Sequence, residues 1–435
     1  VNHRAVSNLL GHYTWAGFGS TMVWDSAFIL QFARYADHAY PVVTALDNCY
    51  ARQHENGFIC RESNASNIET WVIWPANPPL LPWSEWSVYQ ISGDEERLRQ
   101  VFLPLVKNYE WYMRYQRRAD GLYWTRGEQE ADDSPRNALM HSAVSTTAIQ
   151  AMSAEQLAEM ARIVDRPDLA AWFAAEAANL RQLVNDRFWD AEHSLYNDLG
   201  PDGKPVTVTE KGGVCKHGHI FWPLLAGCTD HKRGLAMARA AMDPAGFNRP
   251  SGIGSLSADS DGYNPETGAY WRGSVWPPIQ CMVIKGLERA GFQGTADLAA
   301  EKYYRNFLEA YLAQGDITEF LIPEKPVMAG VPQFVGWGGV APIQLLLENL
   351  FGLRVDAPEK AIHWRIHQMD RHGVGQLPLG EEEVGLVCEA RPGPAAPADL
   401  TITSTGRFTL TVELPGGVWQ REIEPGQTLW RVENR

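Results

Sequence analysis

Carboxylates gather in two loops of this chain. Residues 127–136 read Gly-Glu-Gln-Glu-Ala-Asp-Asp-Ser-Pro-Arg and follow Tyr123 and Trp124 closely. The run is too polar for a core and too near aromatic rings for an ordinary solvated loop, so it reads as the rim of a pocket. Taken alone, an exposed connection broken by Pro135 fits equally well. A second stretch shifts the balance: residues 316–324, Asp-Ile-Thr-Glu-Phe-Leu-Ile-Pro-Glu, again set carboxylates among apolar neighbours. Two such loops suggest two halves of one acid/base site.

Four further loops place polar groups among tryptophans. Trp24-Asp25-Ser26, Pro75-Ala76-Asn77-Pro78-Pro79, Tyr270-Trp271-Arg272-Gly273 with Trp276, and Phe334-Val335-Gly336-Trp337 each lie just before a stretch of helical periodicity. A sugar offers hydroxyls that suit carboxylate or guanidinium partners and a C–H face that suits an aromatic ring. The 17 tryptophans are a surplus over ordinary usage and point the same way. Each residue also has a bland reading: Asp25 as an N-cap, Arg272 in a structural ion pair, any single Trp as core. Four loops of one kind favour the sugar reading over four coincidences.

The elements that must position these loops are mostly helices. Helical periodicity covers residues 3–10, 26–36, 39–54, 79–91, 94–117, 142–164, 167–188, 218–227, 230–242, 275–290, 295–314 and 338–352. In 94–117, Asp94 caps, Glu95 and Glu96 sit in the first turn, and Leu98, Val101, Phe102, Leu105, Val106 and Tyr109 recur at helical spacing. Segments 275–290 and 338–352 are apolar nearly all round, whereas 94–117, 167–188 and 295–314 are amphipathic. Alternation of buried and half-exposed helices predicts a double ring, an (α/α)6 six-hairpin toroid over residues 1–354. After Leu353 the period falls to two, with turn signals at Pro392-Gly393, Pro415-Gly416 and Pro425-Gly426. Residues 355–435 are therefore expected to form a small antiparallel, β-sandwich-like module packed on the barrel.

Bulk composition narrows the partners. The formal charge of −14 is spread along 435 residues without a Lys/Arg tract, which argues against nucleic acid. No apolar run approaches the roughly 18–20 residues that cross a bilayer, so no membrane partner is expected. The chain opens at Val1 without Met or a leader pattern, as a processed or trimmed chain would. Six scattered cysteines without a C-x-x-C predict free, mostly buried thiols in a reducing, cytoplasmic compartment. The oligomeric state is not legible.

Other chemistries fail on spacing. Cys215-x-His217-x-His219 lacks the pattern of common zinc sites. Asp259-Ser260-Asp261-Gly262 opens like a calcium loop without its closing Glu. Gly252-Ile253-Gly254 follows no convincing strand, and there is no G-x-S-x-G elbow. Neither metal nor cofactor is expected.

Over residues 15–352 the chain resembles glycoside hydrolase family 63. The resemblance rests on Trp24-Asp25 with Phe28, Asn77-Pro78-Pro79, Asp132-Asp133-Ser134-Pro135-Arg136, Tyr270-Trp271-Arg272-Gly273 with Trp276, and Glu319 to Glu324 followed by Phe334 and Trp337, in that order. That family and the related trehalases are inverting α-glycosidases with an (α/α)6 barrel. The resemblance implies Asp132 as general acid and Glu319 as general base, with Trp24, Asp25, Tyr270, Trp271, Arg272, Gly273 and Trp276 lining the terminal-sugar subsite; Asn77, Trp124, Arg136 and Trp337 join them as candidate sugar contacts. Two departures bear on sugar preference and on the acid's surroundings: Glu128-Gln129-Glu130 stands where the family has Glu-Ser-Gly, and Asn77 replaces a Gln.

Inverting hydrolysis asks for such a pair independently. One protonated carboxyl serves the leaving oxygen while an ionised one activates water on the opposite face, about 6.5–9.5 Å away. Like charges at Glu130 and Asp133 would help keep Asp132 protonated. Asp133 stays open as a substitute for Asp132, and Glu324 for Glu319, although Glu324 adjoins Lys325 and suits a surface pair. The expected substrate is a short α-glucoside or α-mannoside attacked from its end. Three alternatives stay open: a rhamnosidase-like or uronyl hydrolase, an epimerase working through histidines, and an inert sugar-binding relative.

Overall fold

The structure, a computed structural model, describes residues 20–64, 69, 76–125, 134, 141–207, 213–331 and 334–433. Its described α-helices are α1 (Val23–Ala33), α2 (Thr44–Tyr50), α3 (Leu81–Ser92), α4 (Glu95–Tyr115), α5 (Val144–Ile163), α6 (Pro167–Arg187), α7 (Trp222–Leu225), α8 (His231–Ala241), α9 (Pro277–Arg289) and α10 (Gln293–Gln314). A 3-10 turn, Gly218–Phe221, leads into α7, and another, Gly336–Val340, leads into a π-helix at Ala341–Leu350. The expected helix at 3–10 lies outside the described residues.

Local chemistry explains the ends. The Asp94 carboxylate accepts from the Arg97 N–H at 2.9 Å and starts α4. Left-handed Gly93 and Gly315 close α3 and α10. Two expected helices are shorter than their patterns: 39–54 keeps only Thr44–Tyr50, and 218–227 breaks into a 3-10 turn and one helical turn. The last stretch, 338–352, is apolar nearly all round but not buried on every side. Ile343 is exposed, and Leu347 and Phe351 turn toward the strands.

Burial alternates along the chain. All of α1 and most of α3, α5 and α9 are buried, while α4, α6 and α10 bury one face. The buried elements touch in order: α1 packs on α3, α3 on α5, α5 on α7, α7 on α9, α9 on Gly336–Val340, and that turn packs back on α1. The sequence of contacts closes on itself. Gly338 and Gly339 permit the last approach, since a Cβ there would meet Ile317 at 2.1 Å and the Phe32 ring at 2.4 Å.

Short two-stranded sheets decorate this assembly: β1 (Ser20–Met22) with β2 (Glu62–Asn64), β3 (Trp189–Asp190) with β4 (Leu195–Tyr196), β5 (Asn248–Arg249) with β6 (Gly252–Ile253), and β7 (Phe320–Leu321) with β8 (Met328–Ala329). The remaining strands are β9 (Leu353–Asp356), β10 (Ala361–Arg365), β11 (His372–Leu379), β12 (Glu382–Cys388), β13 (Ala398–Ser404), β14 (Phe408–Leu414), β15 (Gly417–Ile423) and β16 (Gly426–Val432). They form two four-stranded sheets, β15-β14-β10-β9 and β11-β12-β13-β16. Alternate residues of β14, Phe408, Leu410, Val412 and Leu414, enter a core shared with Trp364, Leu386 and Ile402. The all-antiparallel expectation needs one correction: β10 and β14 run parallel, pairing Ile362 with Leu410 and Trp364 with Val412. Ile91 of α3 enters the same core, and Gln90 and Ile91 carbonyls accept from Ala357 and Gly380, each at 2.8 Å.

Candidate active site

Glu319 is fixed by the chain on both sides of it. After Gly315 ends α10, the Thr318 hydroxyl donates to the Ala329 carbonyl at 2.8 Å, at the root of the β7–β8 hairpin. Leu321 exchanges backbone bonds of 2.9 and 3.0 Å with Val275, which ties the hairpin to the entrance of α9. The Glu319 carboxylate accepts from Tyr270 Oη at 2.6 Å through Oε1 and from the Val331 N–H at 2.9 Å through Oε2. Trp337 Nε1 donates to its carbonyl at 3.0 Å. Gly330, at φ +97°, leaves room; a Cβ there would lie 2.3 Å from Oε2. Burial pushes the Glu319 carboxyl above its usual range, and donation from Tyr270 and Val331 pulls it part of the way back. Each oxygen keeps a lone pair that a water could use.

Asp25, in the first turn of α1, is the second carboxyl here. It is buried, and its Oδ1 has no hydrogen-bond partner among the described residues. Burial pushes its pKa to about 8; its own backbone N–H and Arg61 pull against this, and the charges of Glu319 and Glu62 add to it. The β1–β2 pairing of Met22 with Glu62 brings those neighbours in.

The expected tryptophans do gather. Trp271 and Trp276 stack at 4.2 Å with planes 5° apart, Trp276 meets Trp337 edge-on at 5.6 Å, and Tyr270 stands against Trp276 at 4.9 Å. Trp24 joins through His219, whose ring lies 5.9 Å from Trp24 and 5.6 Å from Trp271. All four Trp are buried, and Tyr270 is the exposed ring of the group. Several have structural duties. Asn77 Oδ1 accepts from the Trp24 N–H at 3.1 Å and its carbonyl accepts from Tyr112 Oη, so it caps α1. Gly273, at φ +118°, lets the loop pass Tyr263, which a Cβ would strike at 2.3 Å. Arg272 is half-buried.

The acid loop is mostly outside the described residues: Asp132, Asp133, Glu128, Glu130 and Arg136 all fall there, while Ser134 is buried and Trp124 is half-buried. Glu324 forms an ion pair, with Arg249 at 2.8 Å rather than with Lys325. Asp259 pairs with Lys216. Among the described residues no three His, Cys, Asp or Glu side chains converge for a metal. His217 Nε2 lies 3.0 Å from Asp198 Oδ2, and His219 Nδ1 accepts from Trp222 Nε1 at 3.3 Å, which puts the His219 proton on Nε2. In the sequence His219 suggests only a metal ligand. It heads a buried element just as Trp24 and Trp276 do, and that position is the signal available. Cavities of about 360, 490 and 600 Å³ lie elsewhere, where helices meet sheets, and Glu319 lines none of them.

A buried carboxylate held by a tyrosine and a backbone N–H, with indoles packed on that tyrosine and on the carboxylate's own backbone, suits a carbohydrate enzyme. Residues 20–334 match the model of the mannosylglycerate hydrolase MGH1-like glycoside hydrolase domain, and the chain belongs to that family. It is a glycoside hydrolase, and its resemblance to family 63 holds. An uncharacterized protein of Borreliella burgdorferi is 22% identical over 381 residues, 82% of this chain and 77% of that protein. A mannosylglycerate hydrolase of Rubrobacter radiotolerans is 30% identical over 152 residues, 34% of this chain and only 32% of that one. Among solved structures, the family 63 mannosylglycerate hydrolase of Thermus thermophilus in complex with glucose has a TM-score of 0.62 at 18% identity, over 76% of this chain and 94% of that one. A family 78 rhamnosidase of Bacillus sp. GL1 has a TM-score of 0.66 at 15% identity, over 91% of this chain and 39% of that one. At these identities the likeness is one of fold.

All six cysteines are buried. No helix among the described residues is long and apolar enough to cross a membrane.

Proposed function

We propose that this glycoside hydrolase is an exo-acting, inverting α-glycosidase of a short α-mannoside or α-glucoside, with Asp132 as general acid and Glu319 as general base. The observation that carries the reading is the Glu319 carboxylate, buried yet oriented by Tyr270, whose ring stands on Trp276, and by the Val331 N–H. Glu319 takes a proton from water as the water oxygen bonds to the anomeric carbon; Asp132 protonates the departing glycosidic oxygen as the old bond breaks. Asp25, neutral near pH 7 with a pKa of about 8, donates to or accepts from a sugar hydroxyl. In this reading Trp24, Trp271 and Trp276 form the floor, with Tyr270, Arg272 and Trp124 at the rim, while Asn77, Gly273 and Trp337 hold the floor in shape; Arg136, outside the described residues, stays a candidate sugar contact.

The closed order of buried helices, each with an amphipathic neighbour, supports an (α/α)6 toroid as the frame for residues 1–354, with 355–435 as a module docked on it. Six buried cysteines scattered along the chain suit a reducing, cytoplasmic setting. Mannosylglycerate, the substrate in the relatives' names, is the first compound to test. A rhamnosidase-like activity is the second reading, because the rhamnosidase match extends over 91% of the chain and so into the sheets.

The test is a panel of mannosylglycerate, α-linked glucosides and mannosides and an α-L-rhamnoside, followed by NMR of the anomer first released. The β-anomer of mannose or glucose is expected first, and Glu319→Gln or Asp132→Asn should lower kcat about 10²–10⁴-fold. First release of the α-anomer, or undiminished turnover by either variant, refutes the proposal.

A further inference from the structure

α5 starts without a cap of its own. Its N-cap position is Ala143, which has no side-chain acceptor, and the acceptor comes instead from 54 positions beyond Val144: Asp198 Oδ1 takes the Val144 N–H at 2.8 Å. Asp198 follows β4, and its neighbour Leu199 exchanges backbone bonds with Ser142, each of 3.0 Å. The other carboxylate oxygen, Oδ2, lies 3.0 Å from His217 Nε2, and both side chains are almost wholly buried. The contact is close but not straight enough for a full hydrogen bond, and no other partner satisfies either ring nitrogen among the described residues. A buried imidazole and carboxylate at that distance hold each other, because neither has water to turn to.

Both sides of this pair lead to the candidate site. On one side the Ala143 N–H donates to the Tyr123 carbonyl at 2.8 Å, which joins the described chain just before the stretch carrying Asp132 to the described chain just after it. On the other, His217 stands two residues before His219, whose ring is 5.9 Å from Trp24 and 5.6 Å from Trp271. The strip between them is itself fixed, since the Gly218 N–H donates to the Ser255 carbonyl at 2.7 Å. We propose that Asp198 and His217 form a positioning clamp, which sets the start of α5, and with it the chain returning from Asp132, against the indoles of the proposed floor. Neither residue touches a reacting atom. Their effect falls on how well the donor meets the departing oxygen, a placement in which about 1 Å matters on the order of 10²-fold. Glu319 is held by other groups, Tyr270 and Val331, so loss of the clamp should spare the base. The inference rests on the assignment of Asp132 as general acid made above.

Leaving-group dependence tests it on the full chain. An alcohol must be protonated as it departs, whereas the fluoride of an α-glycosyl fluoride leaves with little help from an acid. On the glycoside turned over in the panel, His217→Ala should lower kcat about 10–100-fold with KM changed less than about threefold; on α-mannosyl or α-glucosyl fluoride the loss should stay below about threefold. His217→Gln keeps an N–H donor near the Nε2 position and should restore most of the rate. Asp198→Asn combined with His217→Ala should be no worse than the poorer single variant. Equal losses on glycoside and fluoride overturn the proposal. Asp132→Asn, run alongside, shows which part has failed: a split for Asp132→Asn without one for His217→Ala overturns the clamp alone, and no split for Asp132→Asn withdraws the acid assignment and the clamp with it. A second readout needs no turnover. Hydrogen exchange over residues 141–147 should quicken about fivefold or more in His217→Ala while that of α6 holds still, and unchanged exchange over 141–147 refutes the clamp.

Discussion

Replacing Tyr270 by Phe removes one hydroxyl and leaves the ring that stands on Trp276. In the wild type that hydroxyl donates to Glu319 Oε1 at 2.6 Å and favours the ionised carboxylate. A hydrogen bond to a charged group contributes about 1.5–3 kcal/mol, equivalent to about 1–2 units of pKa. Tyr270 is 39% exposed, so water can replace part of the lost bond, and the shift should sit at the low end, about 1 unit. The sign follows from the proposed role: a general base works ionised, so losing a donor raises its pKa and moves the acidic limb of kcat/KM upward by about 1 unit. The plateau should fall by no more than about tenfold, because the Val331 N–H still aims Oε2. The assay is released sugar against pH, once a substrate is in hand. An acidic limb that stays in place or moves down would show that Tyr270 does not tune the ionisation on which turnover depends.

Other perturbations test neighbouring pieces. Asp25 has a folded pKa near 8 against an ordinary 3.8, so the folded state holds more protons than the unfolded one between those values. Its contribution to stability is therefore complete below pH 3.8 and is lost as pH rises toward 8, by about 6 kcal/mol at most. Asp25→Asn should lower kcat/KM, and its Tm relative to wild type should rise between pH 5 and pH 9; a Tm difference independent of pH would contradict this. Gly330→Ala puts a Cβ 2.3 Å from Glu319 Oε2 at a φ of +97°; kcat should drop at least about tenfold with about 1–3 kcal/mol of destabilisation, measured by denaturant titration. Glu85, buried in α3, accepts from Tyr50 and from Arg97 at 2.7 and 3.1 Å. Glu85→Ala should cost about 3–5 kcal/mol by leaving Arg97 partly unpaired, and a loss below about 1 kcal/mol would mean Asp47 alone satisfies that guanidinium.

The helices were legible where one face decides them. The apolar spacing and capping Asp94 of α4 repeat in its buried face, from Leu98 through Tyr112. Three strands escape a sequence reading: β9 alternates over only four residues, Leu-Arg-Val-Asp, and β11 and β12 carry no clear alternation. β11 reads His-Gly-Val-Gly-Gln-Leu-Pro-Leu, with two glycines and a proline, and buries only its last three residues, so no period-two signal exists to find. The parallel pairing of β10 with β14 was equally hidden, since the 42 residues between Arg365 and Phe408 can return in either direction and local pattern does not say which.

At the site, sequence stated needs and left the answers to the fold. A carboxylate such as Glu319, set in an apolar run, must find donors or stay neutral; that much is readable from Glu-Phe-Leu-Ile-Pro. Which donors it finds is a long-range matter. Tyr270 lies 49 positions away, and it arrives only because Val275 and Leu321 exchange backbone bonds between the α9 entrance and the β7–β8 hairpin. Tryptophan counts have the same limit. An indole reads alike whether its face meets a sugar or another ring; here Trp337 commits its N–H to the Glu319 carbonyl, and Trp271 and Trp276 lie against each other. Aromatic surplus therefore points to a candidate site in the chain, while the proposed division of labour between floor and support follows from where the hydrogen bonds go.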